Sequence, residues 1–356
     1  MKRFVGFLLL LVAIGIVVAF KVMQSPDATD VVRVVGLVGS EKITFLDNPE
    51  VISILRRKYG IDVQAKKSGS VEMVQAPAND LDFLWPADQT NVDMYRKHGG
   101  QPAKVESIFH SPLVMYSWRS VVDALIERQI IEQRDTVYYL TEPKQLFDLI
   151  VEGATWKDLG LNQLFGKVNI RSTDPLRSNS GNMYAALLAD VLNGEPVATS
   201  EQLEPLLPKI QNVFARQGYM EESSGVLFSL FVEQGEGAYP IIVGYENQIV
   251  EFSALHKESL PVIRDRLRIL YPQPTVWSNH PLMALNENGK RLLEALQDPD
   301  IMRIAWSAHG FRAGDIGAKS APDLLEVPGL PASITSVVPV PSAPIMERIA
   351  TTLQRE

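Results

Sequence analysis

The sequence predicts an α/β chain of two lobes behind an N-terminal transmembrane helix, and three observations carry that prediction. Three times a β-rich run breaks into a small polar turn that opens a helix: VVRVVGLV (31–38) into Gly39-Ser40-Glu41, Ile61 to Ala65 into Ser68-Gly69-Ser70, and Lys167 to Ser172 into the loop from Thr173 to Gly181. The chain has 356 residues, 46% hydrophobic and 21% charged, enough to bury cores in two domains of ordinary size. Met1-Lys2-Arg3 precedes FVGFLLLLVAIGIVVAF (4–20), an uncharged run that at about 1.5 Å per residue nearly crosses a bilayer core of about 30 Å.

Lys2 and Arg3 stay cytoplasmic by the positive-inside tendency, so the rest of the chain is exported. The best small-residue cleavage site, Val17-Val18-Ala19, lies inside the apolar run, which favours an uncleaved anchor. Residues 1–23 are thus expected to be a single-pass signal anchor in the cytoplasmic membrane, with the domain facing the periplasm or cell exterior. Residues 24–30, QSPDATD, form a tether.

The first lobe is expected over 31–118. It holds a helix from Pro49 to Tyr59 with Val51, Ile52, Leu55 and Tyr59 on one face, a strand ending in Trp85-Pro86, and a departing strand HSPLVMYSW (110–118). The second lobe is expected over 119–275. It contains a helical run from Ser120 to Gln133, an Ala/Leu-rich helix from Asn182 stopped by Gly194, a helix after Ser223-Ser224-Gly225, and AYPIIVGY (238–245), an apolar strand suited to a sheet centre. SNHPLMAL (278–285) reads as a return strand, so 276–320 go back to the first lobe with two more helices. Residues 321–356, rich at first in Pro, Ser and Val, read as an extended wrap or tail.

Strand-to-helix joins lie at the carboxyl ends of sheet strands, where ligands bind in open α/β folds. Their hydroxyls, backbone N–H groups and helix ends make a cradle for a small ligand. Other chemistries find little support. A net charge of −8 with no basic stripe argues against nucleic acid, and zero cysteine excludes disulfides, thiolate metal sites and a catalytic thiol. The five histidines form no i,i+4 pair, and no histidine is placed in sequence to activate Ser180. GLNQLFGK (160–167) has five residues between its glycines and Val168 where a phosphate loop needs Ser or Thr, and Glu221-Glu222 face different directions on a helix. No enzyme activity, cofactor or metal is expected.

The order of these features resembles the two-lobed, type II periplasmic solute-binding proteins of ABC importers, nearest the molybdate and sulfate binders. The marks are Gly39-Ser40, Ser68-Gly69-Ser70, QAPANDLD (75–82), WKDL (156–159), the Thr173 to Gly181 loop, GEGAYPIIVGY (235–245) and HGFR (309–312), spread over roughly 31–315. The resemblance implies a type II periplasmic-binding-protein-like fold closing on a ligand in the cleft. Carried over by position, Ser40, Ser70 and Trp85 would contact the ligand from the first lobe, and Thr173, Ser178, Ser180, Gly181 and Tyr245 from the second. The implied ligand is an oxyanion or polar metabolite, and the implied partner an ABC permease or another membrane protein.

Two departures leave alternatives open. Glu41, Glu72 and Glu246 sit beside three of these positions: pointing to water they are harmless, but facing the cleft they would repel an oxyanion. Asn247 and Gln248 would suit a polar or zwitterionic solute as well. The uncleaved anchor admits a tethered sensor or adaptor that keeps the fold without transport.

Overall fold

A computed structural model describes residues 31–314 and 317–354. The expected anchor and tether, 1–30, lie outside the described residues; among those described, no helix is long and apolar enough to cross a membrane.

Two sheets organise the chain. The first joins β1 (Val32–Val38), β2 (Ile61–Lys67), β3 (Phe83–Trp85), β4 (Lys104–Ser107) and β11 (Pro281–Ala284) in the order β2-β1-β3-β11-β4. β1 runs parallel to β2 and β3, while β11 is antiparallel to β3 and β4. An ideal Cβ at Gly36 would fall 2.4 Å from the Phe83 ring, so only glycine lets β1 and β3 approach there. The helix Pro49–Tyr59 has the expected bounds: Asn48 Oδ1 accepts from Glu50 N at 2.9 Å, and Gly60 at φ 60° stops it. It buries Val51 and Leu55 in the first core, with Phe45, Leu292, Leu293, Ile301 and Ile304.

The second sheet holds β5 (Ser111–Trp118), β6 (Ile131–Arg134), β7 (Val137–Leu140), β8 (Ile241–Tyr245), β9 (Leu267–Pro272), β10 (Thr275–Ser278) and β12 (Val337–Val338). Its order is β12-β10-β5-β9-β7-β6, with β8 also paired to β5. All eight residues of β5 are buried, and it pairs antiparallel with β8, β9 and β10. The crossing out of the first sheet therefore falls at Phe109-His110, and the return falls at Asn279-His280, between β10 and β11.

Three local expectations differ from the structure. The helix expected from Ser120 to Gln133 ends at Glu127; Gln129 takes φ 59°, and β6 and β7 follow as a hairpin turned by Asp135 at φ 55°. The helix expected from Asn182 starts at Asn179. The segment 321–356 is a wrap only as far as Ser342. A helix, Ala343–Leu353, then packs Ile345, Met346 and Ile349 into the second core, and Pro344 in its first turn is compatible with helix.

Candidate functional site: a cavity between the lobes

The carboxyl end of β1 delivers Gly39, Ser40 and Glu41 to one wall of a cavity of about 50 Å³, and the end of β2 delivers Ser68, Gly69 and Ser70. The opposite wall comes from the second lobe: Arg177 to Ser180 at the start of the helix Asn179–Asn193, Glu222 to Ser224 at the start of the helix Ser224–Gln234, and Tyr245 at the end of β8. One ordered water needs roughly 10–15 Å³ of such space, so the cavity holds about four water-sized units.

The walls touch. Ser40 Oγ lies 3.3 Å from Ser223 Oγ, and Asn91 Nδ2 donates to Asn179 Oδ1 at 3.4 Å. Gly69 faces the Arg177 carbonyl so closely that an ideal Cβ would sit 2.7 Å from it. Outside the cavity, Lys97 Nζ of the first lobe meets Glu347 Oε1 of the C-terminal helix at 2.6 Å.

The eight residues singled out in the sequence fall into two groups. Ser40, Ser70, Ser178, Ser180 and Tyr245 line the cavity. Ser70 Oγ accepts from Ala87 N at 3.1 Å and keeps its own proton to donate. Tyr245 OH accepts from Asn179 Nδ2 at 3.0 Å. Trp85, Thr173 and Gly181 stand behind the walls. Trp85 is fully buried in the first core, its Nε1 donating to the His280 carbonyl at 2.8 Å. Thr173 is fully buried with Oγ1 2.7 Å from Ser180 Oγ, and an ideal Cβ at Gly181 would lie 2.2 Å from the Thr173 carbonyl oxygen. These three brace the wall. Sequence reasoning passed over Arg177, Asn179, Ser223 and Ser224, although Ser-Ser-Gly before an apolar helix repeats the pattern of Ser-Asn-Ser-Gly.

Ser180 Oγ has Thr173 Oγ1 and, at 3.2 Å, Ser178 Oγ as its neighbours, a hydroxyl chain without a base to activate it. Among the described residues no group of three or more His, Asp or Glu side chains is gathered to hold a metal.

The three carboxylates flagged in the sequence have three fates. Glu246 is buried against Arg312. Glu72 is exposed, its Oε2 accepting from Gly69 N at 3.4 Å. Glu41 lines the cavity with 8% of its side chain exposed; it folds over Gly39, pairs with the fully buried Lys42, and lies 3.6 Å from His280 Nδ1. Burial pushes the Glu41 carboxyl up, but the Lys42 ammonium and the His280 ring outweigh it and hold the carboxyl far below the usual range. Burial, then the Lys42 charge, push His280 down to about 4. At neutral pH the cavity therefore meets an ionised Glu41 beside a neutral His280. A bound anion beside that carboxylate would be repelled, by less than the roughly 4 kcal/mol of an unpaired charge about 4 Å away at an effective dielectric of about 20, because the Lys42 ammonium offsets part of the field.

The fold is that of the two-lobed periplasmic solute-binding proteins of ABC transporters. Among solved structures, the chain is similar to the sulfate-binding protein SubI from Mycobacterium tuberculosis H37Rv (TM-score 0.55, 12% identity, 90% of this chain and 96% of that one). It is similar also to the substrate binding protein of the ABC transporter from Agrobacterium tumefaciens (TM-score 0.56, 12% identity, 92% and 96%) and to a ferric binding protein from Campylobacter jejuni (TM-score 0.56, 12% identity, 90% and 97%). No protein-family model and no curated protein matches the chain. At this level of identity the likeness is one of fold.

Proposed function

We propose that this chain is an extracytoplasmic solute-binding protein that captures a small polar ligand between its lobes and delivers it to an ABC importer, without chemistry of its own. One observation carries the reading. Helix starts of both lobes, bearing Ser40 and Ser70 on one side and Ser178, Ser180 and Tyr245 on the other, converge on a single polar cavity. Such a site can hold a ligand only when the lobes are together, which couples binding to closure. The apolar run 4–20 supports a membrane anchor that keeps the domain on the outer face. That same run favours a second reading, a tethered sensor or adaptor, since soluble capture needs no anchor.

Native mass spectrometry of the full chain taken from its own membrane tests the proposal. A co-purifying small molecule lost on Ser180→Ala supports it. A protein that yields no ligand and compacts with no solute in a broad panel sinks the importer reading in favour of the adaptor. A mature N-terminus at or beyond Phe20 would show the anchor to be a cleaved signal.

A further inference from the structure

We infer that the cavity takes a small zwitterion, its ammonium group against Glu41 and its acid group against the start of the helix Asn179–Asn193. The inference rests on the solute-binding reading and names the ligand class of the same cavity.

Of the four charged side chains that line the cavity, Glu41 alone is nearly buried; Lys67 on its own wall and Arg177 and Glu222 opposite are exposed at the rim. On the first lobe, Lys42 is wholly buried behind the wall while Glu41 lines it, so their ion pair presents its negative end to the cavity. A carboxylate more than nine-tenths buried and ionised is a strong acceptor in a site with little water. On the second lobe, helices of 15 and 11 residues begin at the cavity, and their N-cap residues Ser178 and Ser223 make no side-chain capping bond. Their first N–H groups and positive dipole ends favour an anionic group, while the half-exposed Arg177 guanidinium at the same edge is paired with Glu222. Ser178 and Ser180 add hydroxyls that donate or accept. A bare oxyanion satisfies the second wall and is repelled by the first; a simple amine does the reverse. A molecule with both charges a few atoms apart satisfies both, and a cavity of about 50 Å³ restricts it to a handful of heavy atoms.

Calorimetry on the full chain in detergent tests this with glycine, β-alanine and aminomethylphosphonate as zwitterions, sulfate and molybdate as oxyanions, acetate and methylammonium as half-ligands, and glycerol as a neutral solute. At least one zwitterion is expected to bind, and every other probe at least tenfold more weakly. Glu41→Gln is expected to weaken the zwitterion at least tenfold while leaving sulfate unchanged or improved. If Glu41→Gln fails to fold, the ranking of the probes on the parent chain decides the matter. Sulfate, molybdate or glycerol binding as tightly as the best zwitterion overturns the inference and leaves the solute-binding reading standing. Silence from the whole panel overturns both.

Discussion

Arg312 and Glu246 form a two-pronged ion pair at the junction of the lobes. Arg312 Nε lies 2.5 Å from Glu246 Oε2 and Nη2 lies 2.7 Å from Oε1, with both side chains at 2% exposure or less. Tyr271 OH donates to Glu246 Oε1 at 2.6 Å, and Arg312 Nη2 also donates to the Pro331 carbonyl at 2.7 Å. One pair thus ties the segment returning from the first lobe to β9, to the helix Glu246–Leu255 and to the C-terminal wrap. A carboxylate that the sequence placed beside the ligand position belongs to the scaffold.

Breaking that pair from one side strands a buried charge. Arg312→Met is expected to cost about 3–5 kcal/mol, read as a lower denaturant midpoint. Replacing both residues by apolar ones of similar volume is expected to cost far less. A single substitution that leaves the midpoint within the range of a surface pair would show that the junction is wetter than the structure has it.

Asp190 gives a pH signature of known sign. Its Oδ1 accepts from Val197 N at 2.8 Å while Oδ2 has no partner, and burial pushes its carboxyl up to about 6 despite that bond. Between about pH 4 and 6 the folded state keeps a proton that the unfolded chain has released, so this group withdraws stability as pH rises through that window and costs nothing below it. Asp190→Asn is expected to raise stability at pH 7 by about 1–2 kcal/mol, after allowance for solvent screening, and to leave pH 4 unchanged. Equal shifts at both pH values would contradict the assignment.

Ser70 and Ser180 face the cavity from opposite lobes. Loss of one hydrogen bond to a charged ligand group costs about 1.5–3 kcal/mol, so Ser70→Ala and Ser180→Ala are each expected to weaken binding roughly ten- to a hundredfold. Ser70→Ala also strips Ala87 N–H of its acceptor, and Ser180→Ala takes away the hydroxyl that the fully buried Thr173 Oγ1 and Ser178 Oγ share, so both are expected to lower stability as well. Calorimetry beside thermal melts separates the two effects; parent-like affinity in both variants would remove the cavity from consideration.

The C-terminal helix is part of the second core. Ile349 is 1% exposed there, so Ile349→Ala is expected to cost about 2–5 kcal/mol, while exposed Thr351→Ala should change little. A negligible effect at Ile349 would make the helix an appendage after all.

Short-range patterns in the chain account for the local elements and much of the cavity's chemistry. The helix Pro49–Tyr59 carries its own N-cap, proline and stopping glycine, and the Ser-Gly turns announce which chain segments end strands and open helices; both are short-range patterns, legible without the fold. Tertiary structure alone decided direction and partnership. Ser70 opens the helix after one strand of the first sheet and Trp85 ends another, yet the neighbouring elements turn the first toward the cavity and bury the second against Phe45 and Phe109. Glu41 and Glu246 each follow directly on a residue expected to touch ligand, and what separates them is a distant partner: Arg312, far along the chain, claims Glu246, while Glu41 finds Lys42 next door and keeps a face to the cavity. The C-terminal helix was hidden because its preceding Pro- and Val-rich stretch has no period of its own, and only the exposed flank of the second core gives Ile345, Met346 and Ile349 somewhere to be buried.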